Sequence, residues 1–481
     1  MRAPASKASV LRPDLCVVGA GPGGLSVAAG AAALGVSVVL IEKGAMGGDC
    51  LNSGCVPSKA LAIAARNLVG TRQASRFGLS GSEAEPDFRA VHRGVGDVVA
   101  AIAPGDSQAR FEALGVKVVR AHGRFTAPDR IEAGGFLIKA RRFVVATGSS
   151  PSVPPIEGLD LVRYLTNETI FGLDALPQSL IVLGGGAAGL ELAQAFRRLG
   201  SDVAVLEPQQ LLRHEDPELV RIVSMCLVAE GVEVREGATI ERIEPRGAGV
   251  RVVLRGAAGP DALDASHLLV ATDRKPNLDG LGLEAADVAF DKTGVRVDAQ
   301  LRSRSNRRVY AVGDAAGGPQ FTHAANHQAG IVLRAALFRL RSRAAAAPVP
   351  RAAYTDPEIA SVGLTEAEAR QRHRDVRILR AGFAENDRAR IELDTTGHVK
   401  VIATARGDVL GAGIVGANAG ELISLWTLAI AKRLKVSDVA GLVVPYPTRS
   451  EASRRAALAS LGPSLRNPWL RRMLGILRRL G

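Results

Sequence analysis

Cys50 and Cys55 stand five positions apart in the run Gly47-Gly-Asp-Cys-Leu-Asn-Ser-Gly-Cys-Val-Pro-Ser-Lys59, with Lys59 four residues beyond the second cysteine. A pair at that spacing can hold a metal, staple a loop, or cycle between dithiol and disulfide. A zinc site needs about four ligands, and neither a second such pair nor a Cys/His cluster lies nearby, so no metal site is expected. The chain has 4 cysteines in 481 residues, too few for a disulfide scaffold. Residues 1–11 show no apolar secretory core, and every apolar run is interrupted before membrane-spanning length. A cytoplasmic location is therefore expected, where a disulfide is more often catalytic than structural. Cys16, in an apolar run, and Cys226, in a helical pattern, read as packing residues.

The elements flanking this pair are nucleotide-binding in pattern. Asp14-Leu-Cys-Val-Val-Gly-Ala-Gly-Pro-Gly-Gly24 predicts a buried strand entering a turn at Gly19, Gly21 and Gly24, then a helix over 25–34 and a strand over 36–41 that ends in Glu42. The glycines permit a tight turn and close approach of backbone to a pyrophosphate at the helix N-terminus. The terminal acid can accept from a ribose hydroxyl. Leu180-Ile-Val-Leu-Gly-Gly-Gly-Ala-Ala-Gly189 repeats the unit with Gly184, Gly186 and Gly189, a helix to 199, and a strand over 202–206 closed by Glu207. One glycine fingerprint is weak evidence; two, each in strand–turn–helix context with a terminal acid, imply two dinucleotides, most simply a flavin and a nicotinamide.

The net charge of +13 invites a nucleic-acid reading, but the arginines that dominate it are spread along the chain and aromatic residues are only 4%. A basic groove with stacking platforms is not visible, and no nucleic-acid partner is expected. Between the glycine units, residues 87–114 read as helical and 116–145 as short strands reaching Ala146-Thr-Gly148. Residues 232–253 alternate like a strand pair, 308–312 form a strand before Gly313-Asp314, and 322–340 a helix. Residues 344–350 read as a linker. Strands near 358–363, 377–383, 398–403 and 409–415 follow, then helices to 460.

In this order of motifs, which also includes Tyr354-Thr-Asp-Pro-Glu358, the chain resembles the FAD-dependent pyridine nucleotide-disulfide reductases, the group of dihydrolipoamide dehydrogenase, glutathione reductase and mercuric reductase. The resemblance implies an α/β chain with two Rossmann-like dinucleotide-binding domains and a C-terminal α+β dimerisation domain. The implied boundaries are 1–157 and 279–347 for FAD, 158–278 for NAD, 348–463 for dimerisation, and 464–481 as a tail. It implies FAD held by the first unit, Glu42, Gly123, Thr147, Gly148, Asp314 and Thr322, and NAD held by the second, with Glu207, Ile240 and Asp273. A carboxylate at Glu207 repels a 2′-phosphate, so NADH is expected over NADPH. Lys59 and Glu191 would pair beside the flavin, Cys55 would meet the flavin, and Cys50 would exchange with the acceptor.

Two positions depart from the family pattern. Thiol-reducing relatives carry a histidine where this chain has Tyr446, in Val443-Val-Pro-Tyr-Pro-Thr-Arg-Ser-Glu451, and Glu451 loses the imidazole it would orient. A phenol is a poor proton shuttle at neutral pH. Mercuric reductases place a tyrosine here but also bring a C-terminal cysteine pair, whereas the last cysteine here is Cys226. Asp49 stands where most relatives have threonine, and its charge should disfavour a Cys50 thiolate. The expected function is a mercuric-reductase-like NADH-dependent flavoprotein, a homodimer reducing a metal ion, a quinone or a disulfide. The alternatives are a dihydrolipoamide dehydrogenase and a non-catalytic redox-sensing flavoprotein. The tail over 468–480 has the spacing of a basic amphipathic helix, fit to lie on an anionic membrane or to dock on the dimer.

Overall fold

In the computed structural model the first glycine unit is built on a five-stranded parallel sheet, in the order Val309–Ala311, Arg142–Val145, Leu15–Val18, Val38–Glu42, Lys117–Arg120. Its central strands are apolar on both faces, as a parallel sheet covered on each side requires. The structure describes residues 9–80, 84–256, 259–340, 347–462 and 468–479. The expected linker at 344–350 lies partly outside them.

The helix Pro22–Ala33 follows the first strand with proline in its first turn, where a missing N–H costs nothing. It packs on the helix Thr322–Phe338 so closely that a Cβ on Gly30 would come within 2.5 Å of Leu333 Cδ1. The helix Cys55–Arg72 begins at the second cysteine. Four further strands, Ser9–Leu11, Phe136–Ile138, Arg130–Ala133 and Arg124–Ala127, make a second sheet.

Residues 87–114 are not one helix. Phe88–Ile102 is helical with Asp87 as its cap, the 3₁₀ turn Ala103–Asp106 interrupts it, and Gln108–Ala113 resumes. Pro104 and Gly105 are the reason, because proline lacks the N–H that a continuing helix needs. The expected strand pair at 232–253 also divides further. Glu233–Glu236 runs parallel to Asp202–Glu207, while Ile240–Arg246, Gly249–Gly256 and Gly259–Ala265 form an antiparallel sheet of their own.

Two compact units result: residues 1–184, 199–201 and 240–346 form one, and 185–198, 202–239 and 347–481 the other. In the second, a five-stranded antiparallel sheet runs in the order Arg351–Ala353, Ile359–Gly363, Val409–Val415, His398–Thr404, Val376–Gly382. The helices Ala419–Lys432 and Ser450–Leu458 cover it through a core containing Phe383, Val401, Ile414 and Trp426. Trp426 is fully buried, and its indole N–H is satisfied by Ser453 Oγ at 3.1 Å. The tail is helical over Pro468–Leu477, with Met473, Leu474, Ile476 and Leu477 all half or more exposed. Among the described residues no helix is long and apolar enough to cross a membrane.

Candidate active site

The two glycine units use the same local device. Gly19 and Gly184 both have positive φ, 106° and 113°. A Cβ on Gly19 would stand 2.3 Å from Ala146 O, and one on Gly184 2.4 Å from Ala271 O. In each unit the acid closing the second strand accepts from the residue after the first glycine. Glu42 takes the N–H of Ala20 and of Gly44, both at 2.6 Å; Glu207 takes that of Gly185 at 2.7 Å and of Gln209 at 3.0 Å. The acids thus brace the turns that a dinucleotide would lie against.

The first unit fits FAD on further grounds. A Cβ on Gly24 would meet Gly19 O at 1.9 Å, so only glycine allows the helix to start so close to the strand. Gly123 packs under Ile41 and Ile131. Thr147 Oγ1 is buried with no partner among the described residues, while Asn277 holds its carbonyl at 3.1 Å. A buried hydroxyl without a partner beside a glycine turn is a polar group waiting for a ligand. Asp314 accepts from Ser149 Oγ at 2.5 Å, and burial holds its carboxyl above the ordinary carboxylate range against the opposing pull of Ser149 and Arg274.

The helix Gly48–Asn52 carries Cys50 and is followed directly by the helix that starts at Cys55. Cys50 is partly buried and Cys55 is exposed. Thr322 Oγ1 lies 3.7 Å from Cys55 Sγ, so the residue expected at the cofactor also caps the thiol pair. The Cys50 thiol is pushed far above its ordinary value, first by the hydrogen bond with Cys55, then by burial, with Asp49 adding to the effect and Thr322 opposing it. Cys16 is fully buried, and burial alone pushes its thiol up.

Lys59 lies on the Cys55–Arg72 helix, one turn from Cys55. Glu191 is buried on the helix Ala187–Leu199 and accepts the Tyr354 N–H at 2.8 Å. Ile240 opens the first strand of the antiparallel sheet, and Asp273 offers its carbonyl to Ser152 N–H at 2.8 Å. Lys59, Ile240 and Asp273 belong to the first compact unit; Gly186, Gly189, Glu191 and Glu207 belong to the second.

Tyr446 is 71% exposed, and its phenol donates to Asp387 at 3.1 Å. That bond, with the carboxylate charge behind it, holds the phenol above its ordinary value, and Glu451 adds slightly. The loop before the Ser450–Leu458 helix is pinned at two points: Asn386 donates to Thr448 O at 3.0 Å, and the buried Arg449 reaches Glu392 at 2.8 Å and Asp394 at 3.0 Å. Sequence reasoning missed Asp387, although Asn386-Asp387 is a helix-cap pattern. It also missed Arg274, Asn167 and Ser149, which surround Asp49 and Asp314 and come from segments read only as connections.

Residues 13–329 match the family described as pyridine nucleotide-disulphide oxidoreductase, and residues 349–457 match its dimerisation domain. The mercuric reductase of Lysinibacillus sphaericus is 34% identical over 92% of this chain and 82% of its own length. The dihydrolipoyl dehydrogenase of Thermus scotoductus is 36% identical over 93% of this chain and 97% of its own. Among solved structures, the Cu(II) complex of the HOCl-induced flavoprotein disulfide reductase RclA from Escherichia coli superposes with a TM-score of 0.82, at 26% identity, over 91% of this chain and 98% of that one. These likenesses make the protein a homodimeric flavoenzyme that uses FAD and a pyridine nucleotide. The chain belongs to the FAD-dependent pyridine nucleotide-disulphide oxidoreductases.

Proposed function

We propose that the protein passes electrons from NADH to the Cys50/Cys55 pair and from there to a thiophilic metal ion. When bound, FAD supplies two-electron exchange between a reduced nicotinamide and a disulfide. The glycine turn of the first unit, Thr147 and Asp314 hold it, Lys59 balances negative charge beside it, and Glu207 serves the nicotinamide unit. Cys55 is the sulfur on the cofactor side. Cys50 is the sulfur that meets the acceptor. When the dithiol closes to the disulfide it releases one electron pair and two protons, and the electron pair goes to one Hg(II) ion or is shared between two Cu(II) ions.

The observation that carries the choice of acceptor is the Tyr446–Asp387 hydrogen bond. A disulfide acceptor leaves as a thiolate and needs a proton delivered near neutral pH; a metal ion takes its electrons without one. A phenol already committed to a carboxylate, and held above its ordinary value by it, stays protonated and does not shuttle. The mercuric reductase and Cu(II)-complex relatives support the same reading. Hg(II) and Cu(II) are expected to be reduced faster than lipoamide or a quinone, and Tyr446→His to raise lipoamide turnover about tenfold. Rapid lipoamide turnover by the parent would instead make the protein a dihydrolipoyl dehydrogenase.

Glu207 bears on the coenzyme. Its carboxylate closes the second strand of the nicotinamide unit and repels a 2′-phosphate. A higher kcat/KM for NADH than for NADPH is the expected result, and the reverse order would remove the assignment. In the tail, exposed apolar residues beside Arg472, Arg478 and Arg479 support peripheral contact with an anionic surface.

A further inference from the structure

Asp49 departs from the family pattern next to a sulfur that must become an anion, yet its charge is not left open. Oδ1 accepts from Ser53 Oγ at 2.8 Å and from Asn167 Nδ2 at 2.9 Å, and Oδ2 lies 3.0 Å from Arg274 Nη2. Asn167 Nδ2 also reaches Ser53 O at 3.1 Å, closing a ring around the turn between the cysteines.

Arg274 is the hinge of this cluster. Its Nε donates to Ser149 Oγ and its Nη2 to Ser149 O, both at 2.8 Å, and its Nη1 lies 3.4 Å from Asn167 Oδ1. Ser149 Oγ in turn donates to Asp314 at 2.5 Å. One planar guanidinium therefore runs from the carboxylate beside Cys50 to the hydroxyl that holds the cofactor-site carboxylate. The side chains of Arg274 and Asp49 are 25% and 35% exposed, so the pair is shielded more than a surface ion pair. Several fixed donors on one side chain are what arginine provides and lysine does not.

We propose that Arg274 is a positioning residue for the redox pair: it neutralises Asp49 and ties the Cys50 turn to Ser149 and Asp314. The assignment rests on Cys50 being the acceptor-side sulfur, but it does not depend on which acceptor is used. Without the guanidinium, the Asp49 carboxylate would face Cys50 uncompensated and oppose any negative charge forming on the sulfur.

The test is the alkylation rate of Cys50 by iodoacetamide in the NADH-reduced holoenzyme at one fixed pH, with Cys50 and Cys55 resolved by peptide mass spectrometry. No acceptor takes part, so failure of the proposed metal-ion reaction leaves this readout intact. Arg274→Gln is expected to slow Cys50 alkylation about 3- to 10-fold, and Arg274→Lys, which keeps the charge but not the donor fork, to fall between Arg274→Gln and the parent. Combining Asp49→Asn with Arg274→Gln is expected to restore the rate. Asp49→Asn alone, which guards against a folding defect in the arginine variants, is expected to react at least as fast as the parent. Parental reactivity in Arg274→Gln, no restoration in the double variant, or slower reaction in Asp49→Asn would each overturn the proposal.

Discussion

Replacing Cys50 by serine is expected to lower acceptor turnover by on the order of 10³-fold or more, while NADH still reduces the flavin. The size of the effect follows from the chemistry of the pair. A lone Cys55 cannot close an intramolecular disulfide, so the second electron pair has nowhere to reside and the acceptor-side nucleophile is gone. The remaining thiols offer no substitute. Cys16 is fully buried in the central sheet, and burial pushes its thiol up; Cys226, on the helix Pro217–Ala229, is also pushed up by burial, with Glu230 adding to it. Cys55→Ser is expected to be as inactive, because neither sulfur works alone. Turnover in Cys50→Ser within tenfold of the parent would show that electrons leave the flavin directly.

The largest expected effect on stability lies in the dimerisation sheet. Lys400, on the strand His398–Thr404, is 2% exposed and has its ammonium 2.8 Å from each of Asp216, Glu218 and Glu366. Substitution to methionine keeps most of the volume and leaves three carboxylates partly desolvated, with Arg380 on Glu218 at 2.7 Å and on Glu366 at 3.7 Å as remaining partial compensation. Removing one member of a buried charge cluster costs about 3–5 kcal/mol, so the urea midpoint should fall accordingly.

The pH dependence of that cost has a definite sign. The Glu218 carboxyl is held down to about 2, first by the Arg380 hydrogen bond and then by Lys400. A depressed carboxylate contributes stability above its unfolded pKa of about 4.3 and loses it as pH falls toward the folded value. The cost of Lys400→Met is therefore expected in full at pH 7 and to shrink as pH drops through the range from about 4.3 to about 2. A cost that stays constant across that range would mean that lost packing, not charge, is what the lysine supplies.

What the sequence made legible was local. The glycine turns announce themselves because only glycine tolerates the approach seen at Gly19 and Gly24, and the cysteine pair is set by a contiguous run. The strand Val409–Val415 lies where the sequence reading placed one. The Pro104 break was overridden by the helical periodicity on either side of it. What could not be read were partnerships across long separations. Asp49 meets Asn167 over 118 positions, and Lys400 meets Asp216 over 184. Asp49 taken alone looked hostile to a Cys50 thiolate; its pairing with Arg274 is a property of the fold, since nothing in the run Asp273-Arg-Lys-Pro-Asn277 points to residue 49. Lys400 likewise reads as an ordinary strand residue, and only three converging carboxylates show why a charge is buried there. Tyr446 was visible as a departure, but Asp387, which fixes its protonation, was not.

In the proposed function the Cys50/Cys55 pair stores electrons delivered from NADH through the flavin. Anaerobic titration of the FAD-loaded homodimer with NADH tests this directly. The parent is expected to consume two hydride equivalents per subunit, one held by the flavin and one by the dithiol, and Cys50→Ser only one. If parent and variant both consume a single equivalent, the cysteines are outside the electron path.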